Sequence, residues 1–90
     1  MSRLEIIHLR TAGKSFASLA RQIREAIGSD FDGSGVVTIY RRNGLDTDVA
    51  IHLTSHGSGE NAGPSALGLH LASALNAYGL VEHTLWEELT

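Results

Sequence analysis

Residues 36–54 read Val-Val-Thr-Ile-Tyr-Arg-Arg-Asn-Gly-Leu-Asp-Thr-Asp-Val-Ala-Ile-His-Leu-Thr, and this stretch decides the fold. It holds two runs of β-branched and aromatic residues around Asn43-Gly44, the composition of a β-hairpin. The runs are expected as strands over 36–41 and 47–54. Facing residues lie on one side of a sheet, so the pattern restricts the loop. A two-residue Asn-Gly loop sets Ile39 against Asp48, an apolar residue against an acid. A three-residue loop, Arg42-Asn43-Gly44 with Gly44 in the left-handed conformation, sets Val37 against Val49 and is the expected arrangement.

The segments on either side of the hairpin have helical and then strand periodicity. Upstream, Phe16, Leu19, Ile23 and Ile27 recur at helical spacing, with Ala20 and Ala26 beside them and Arg21, Gln22, Arg24 and Glu25 outside the stripe. Ser15 is the expected N-cap of this helix and Gly28 its C-terminal cap. Residues 4–11 form a strand before it, broken by Ala12-Gly13-Lys14. Downstream, Pro64 suits a helix start. Leu67, Leu71, Leu75 and Tyr78, with Ala74, form a second helical stripe. Gly79 is expected to close that helix with Leu80 packed back against it, and a last strand runs from Val81 to Leu89.

The order is thus βαββαβ, the split βαβ pattern of the α+β ferredoxin-like fold. Right-handed crossovers place the strands 4-1-3-2 in an antiparallel sheet, with both helices on one face. Alternation assigns Ile7, Leu9, Val37, Ile39, Val49, Ile51, Leu53, Val81 and Leu85 to the covered face. The other face takes Leu4, Ile6, His8, Arg10, Val36, Thr38, Tyr40, Ala50, His52, Thr54, Thr84 and Trp86. A face bathed in water would be mostly charged. This one is mixed and carries large apolar groups, the mark of an interaction surface. A second copy of the chain, its sheet facing the first, is the expected cover, since two-fold dimers are the commonest oligomers.

Composition narrows the classes. Ninety residues are room for one domain, and 42% hydrophobic with 19% charged residues is a globular composition. The formal charge is -3, and the six arginines are scattered around the single Lys14, so no basic stripe is present for nucleic acid. No cysteine is present, which excludes disulfides and thiolate chemistry. Glu5 interrupts any leader-like apolar run at the N-terminus, and no stretch has the roughly 20 apolar residues of a membrane span, so a cytoplasmic location is expected.

Four residues of the uncovered face are the candidate ligand-binding set: His8, Tyr40, His52 and Trp86. The first and third strands are neighbours, which brings the two histidines close. A histidine pair beside a tyrosine suits a phenolic ligand or a proton transfer near neutral pH. The plainer alternative is a set of ordinary interface residues, because aromatic groups are enriched at interfaces whatever their chemistry.

Other motifs are weaker. His52 and His56 have the spacing of a helical metal pair but span a strand end and a loop, and no metal site is expected. Asp30-Phe31-Asp32-Gly33-Ser34-Gly35 resembles the start of a calcium loop, yet its twelfth position is Arg41 where a bidentate acid belongs. Gly57-Ser58-Gly59 lacks the lysine of a phosphate loop. Glu87 and Glu88 are adjacent on a strand and point to opposite faces.

The segment Gly68-Leu69-His70-Leu71-Ala72-Ser73-Ala74-Leu75, the turn Tyr78-Gly79-Leu80 and the strand Val81 to Leu89 resemble the dimeric α+β barrel superfamily, and within it the antibiotic biosynthesis monooxygenase-type domains. The resemblance covers most of the chain in pattern. It implies a ferredoxin-like fold, a homodimer and a repertoire that includes cofactor-independent monooxygenases of aromatic polyketides, haem-degrading enzymes and isomerases. The sequence itself requires no cofactor. Two departures stand out: the third strand lacks an aromatic-acidic ending, and residues 55–63 are unusually glycine-rich. No catalytic set carries over residue by residue. In haem-degrading relatives a helical histidine binds iron, and His70 is the residue to compare, although one histidine on a helix is most simply a surface group. The sequence therefore implies either a monooxygenase-like protein for an aromatic or apolar small molecule, or a non-catalytic dimeric ligand-binding or structural module.

Overall fold

A computed structural model of the chain describes residues 2–11, 16–30, 36–44, 47–56 and 63–89. The proposed cap Ser15, the calcium-like residues 31–35, the Gly57-Ser58-Gly59 motif and the side chain of His56 lie outside the described residues. The elements are β1 (Ser2–Thr11), α1 (Phe16–Asp30), β2 (Val36–Arg41), β3 (Asp48–His56), α2 (Ala66–Leu75) and β4 (Gly79–Glu87). All strand pairs are antiparallel, and the sheet order is β2-β3-β1-β4, the ferredoxin-like arrangement.

The helices share one face of the sheet. Ile7 and Leu9 of β1 and Val49 and Ile51 of β3 meet Leu19 and Ile23 of α1 and Leu71 and Leu75 of α2 in one buried cluster. Alternation in β1 and β3 and helical spacing in α1 and α2 thus converge on the same layer. Val37, Ile39, Leu53 and Val81 pack around its margin. Leu85 has the expected side by register, opposite Glu5, but it sits on an edge strand with a neighbour on one side only and stays exposed.

Three local expectations are corrected. The hairpin pairs Val37 with Leu53, Ile39 with Ile51 and Arg41 with Val49, a register four residues away from the expected Val37–Val49 pairing. A shift of four keeps every side chain on its face, and it gives both Val37 and Ile39 an aliphatic partner. The connection is correspondingly longer, closed by the Arg42 N–H donating to the Asp48 carbonyl at 3.1 Å, while Gly44 does take the left-handed conformation, with φ 81°. Second, Gly28 lies inside α1, which continues to Asp30. Third, α2 ends without the expected left-handed glycine: its C-cap is Asn76, in right-handed helical geometry, and Ser65 rather than Pro64 borders its start as N-cap. Gly79 instead opens β4 opposite Thr11, where a Cβ would come within 2.2 Å of the Arg10 carbonyl oxygen. Leu80 is exposed, not packed against the helix.

Candidate functional site

The uncovered face of the sheet is ordered in rows by strand pairing. Thr38, His52, Ile6 and Thr84 form one row across β2, β3, β1 and β4. Tyr40, Ala50, His8 and Glu82 form the next, and Asp48, Arg10 and Leu80 the one beyond it. On the far side lie Val36, Thr54, Leu4 and Trp86. Period-two alternation puts all of these opposite the helices.

A concave cleft of about 350 Å³ opens on this face. Ile6, Ala50 and the Tyr40 ring give it apolar walls, and His8, Asp48 and Glu82 supply polar groups. That volume matches a small organic molecule rather than a macromolecule.

Asp48 organises the polar end. It is 3% exposed, although it begins the strand that follows the hairpin. The Thr47 hydroxyl donates to its Oδ1 at 2.8 Å, and His8 Nε2 lies 3.0 Å from Oδ2. Arg10 Nε and Arg42 Nη1 stand further off, at 3.7 and 3.5 Å. These neighbours hold the carboxyl below its ordinary range, the Thr47 hydrogen bond first, then His8 and Arg10, against the opposing effect of burial. An ionised carboxylate only accepts hydrogen bonds. In the neutral His8 ring the proton is therefore on Nε2, and the basic lone pair is on Nδ1.

The four residues singled out from sequence part company here. His8 and Tyr40 line the cleft. His8 and His52 are not direct partners: His8 faces Ala50, and His52 faces Ile6. His52 packs behind the cleft wall, its ring 4.6 Å from that of Tyr40 and tilted by 57°, a favourable aromatic geometry. Trp86 is half exposed beyond the cleft, its indole N–H donating to the Thr84 hydroxyl at 2.9 Å. Asp48 and Glu82 were not among the candidates. Their alternation is visible in the sequence, but an acid at a strand start looks like a solvated turn residue until the register sets it against Arg10 and beside His8.

A second polar cluster lies on the helix-covered face, away from the cleft. Glu5 is 7% exposed. It accepts from the Ser65 hydroxyl at 2.7 Å and the Ser65 N–H at 3.3 Å, and it is bonded to His83 Nε2. The same Ser65 hydroxyl caps α2 by accepting from the Gly68 N–H at 2.9 Å. Glu5 is thus a carboxylate held at a helix N-terminus, where the helix dipole favours it. This group of residues pins α2 to β1 and β4 and has a structural role.

His70 is on the exposed side of α2. Among the described residues no group of three or more potential ligands is placed to hold a metal ion. No helix among them is long and apolar enough to cross a membrane.

Two solved structures share the topology. One is Rv0793 from Mycobacterium tuberculosis, 10% identical, with a TM-score of 0.69 over 100% of this chain and 97% of that one. The other is SnoaB, a cofactor-independent oxygenase from Streptomyces nogalater, 19% identical, with a TM-score of 0.63 over 99% of this chain and 94% of that one. The fold is ferredoxin-like α+β, shared with these two structures. The resemblance read from the C-terminal half of the sequence therefore holds at the level of the fold. No protein-family model matches the chain, and no curated protein matches it. At these identities the likeness concerns the backbone, and the chemistry of this ferredoxin-like sheet has to be argued from its own cleft.

Proposed function

We propose that this chain is a cytoplasmic homodimer that binds an aromatic or otherwise apolar small molecule on its open sheet face and oxidises it as a cofactor-independent monooxygenase. The observation that carries the reading is the His8–Asp48 pair, 3.0 Å apart, at one end of a cleft walled by Ile6, Ala50 and Tyr40. Oxygenation without a cofactor needs electrons from the substrate itself. A proton must leave an activated C–H or a phenolic O–H to make an electron-rich anion. His8 has the tautomer for that task, since Asp48 accepts the hydrogen bond of Nε2–H and leaves the Nδ1 lone pair as the base. Reaction of the anion with oxygen then turns an activated methylene into a carbonyl: one oxygen atom stays in the product and the other leaves as water with the two hydrogens. Tyr40, backed by His52, supplies a flat surface for an aromatic ring. The oxygenase activity of the structural neighbour SnoaB supports the reaction class.

The dimer reading rests on the same face. Val36, Tyr40 and Trp86 are each at least half exposed there, and a second sheet packed against them would cover both them and the cleft.

The test is oxygen uptake by the purified protein with a panel of electron-rich hydroxyaromatic compounds. The expected result is uptake matched to carbonyl product and abolished in His8→Ala. Tight binding with no uptake across the panel would make the protein a binding module, and absence of binding would remove the ligand reading altogether.

A further inference from the structure

The cleft has an electrical polarity that its apolar walls do not require. At the hairpin end, Asp48 is already satisfied by Thr47 and His8, at 2.8 and 3.0 Å. Two guanidinium groups nevertheless gather there, Arg42 at 3.5 Å and Arg10 at 3.7 Å. Charge-assisted N–H···O bonds are shorter, about 2.7–2.9 Å, so neither arginine is docked on the carboxylate. Two guanidinium groups thus face one carboxylate at this end, where Arg41 also lines the cleft, in a chain whose formal charge is -3. Arg42 lines the cleft, and its side chain is 57% exposed. Its backbone is held by the bond from its N–H to the Asp48 carbonyl, so the side chain starts from a defined place at the rim. The opposite wall is of the other sign, because Glu82 lines the cleft on β4, across from His8.

We infer that the ligand of this cleft carries an oxyanion, a carboxylate or a group of like charge and shape, and that the Arg42 guanidinium binds it. This rests on the reading of the cleft as a ligand site. A guanidinium presents parallel N–H donors that fit two oxygens of one anion. Glu82 repels such a group from the β4 side, so the field orients the ligand: anionic end at the hairpin, apolar body over Ile6 and Ala50. That orientation carries the middle of the ligand past His8, the group that takes the proton in the proposed reaction.

Equilibrium dialysis at neutral pH with naphthoate and naphthylmethanol separates charge from shape, because the two probes share one ring system. The intact protein is expected to bind naphthoate roughly tenfold more tightly, the scale of a hydrogen bond to a charged group, with the preference shrinking as salt is added. Arg42→Gln is expected to lower naphthoate affinity to that of naphthylmethanol, whereas Arg21→Gln, on the outer side of α1, keeps the preference. Urea unfolding of both variants checks that each is folded. Equal affinity for the two probes in the intact protein, or a preference that survives Arg42→Gln, would overturn the inference and leave the ligand site standing. Failure of both probes to bind would overturn the ligand site and the inference with it.

Discussion

Ile6 and Ile7 are neighbours in sequence and lie on opposite sides of the sheet. Ile7 is wholly buried beneath the helices, and Ile6 lines the open cleft. The same division runs along β1, β2 and β3: Leu9 against His8, Ile39 against Tyr40, Ile51 against His52. One face supplies stability from aliphatic packing. The other is left with an ionised acid, a histidine and exposed aromatic groups, an arrangement that adds little to stability. Because the two sets sit on the same strands, the rigid core layer positions the open face, and substitutions one residue apart should separate stability from binding.

Substitutions on the covered side should have the largest effect on stability. Ile7→Ala or Ile51→Ala should destabilise the fold by about 2–5 kcal/mol, read as a lowered urea midpoint, since each leaves a cavity in a fully buried cluster. A value near zero would mean that the two faces are not so different. Next in size is Gly68→Ala. A Cβ there would lie 1.8 Å from Glu5 Oε2, and moving the carboxylate away gives up its bonds to Ser65 and His83. The expected cost is about 1–3 kcal/mol, the penalty for a buried polar group left without partners. Combined with Glu5→Ala, the second substitution should add less than it costs alone, because the clash and the bonds have gone together.

Asp48 sharpens the comparison through pH. Its folded-state pKa is lowered from 3.8, so its ionised form stabilises the native state above that value. The contribution is lost as pH falls through the still lower folded value. Urea midpoints followed downward from about pH 5 should therefore fall less steeply for Asp48→Asn than for the parent. Parallel slopes would show that the carboxylate is not held by its neighbours. The smallest effect on stability belongs to His8→Ala, about 1 kcal/mol or less, because His8 is partly exposed and its pairing with Asp48 is reached by solvent. The same substitution should remove oxygen uptake. Loss of folding in this variant would place His8 with the core residues instead.

The face assignments were legible because they need only strand alternation, and alternation survives errors of even register. That is why Tyr40 and Ile39 were placed on the right sides although the hairpin pairing differs by four residues. The register itself was not legible, since Asn43-Gly44 suggests a tight turn and nothing local shows that Ile39 finds Ile51. Roles that depend on long-range pairing were hidden for the same reason. Asp48 becomes the organiser of the cleft only when β1 sets Arg10 across from it. Glu5 and Ser65 are sixty positions apart, and their bond appears only once α2 has docked. Gly79 looks like a helix cap from its neighbours alone, whereas its small size serves the close passage of the Arg10 carbonyl.

One face of this sheet builds the fold, and the other is proposed to hold a ligand. Methyl-resolved NMR of the isoleucine side chains, titrated with naphthoate, tests it most directly. The Ile6 methyl signal is expected to move with ligand while those of Ile7 and Ile51 stay in place. Movement of Ile7 and Ile51 with Ile6 unchanged would put the ligand among the core residues beneath the helices, and the open face would not be the ligand site.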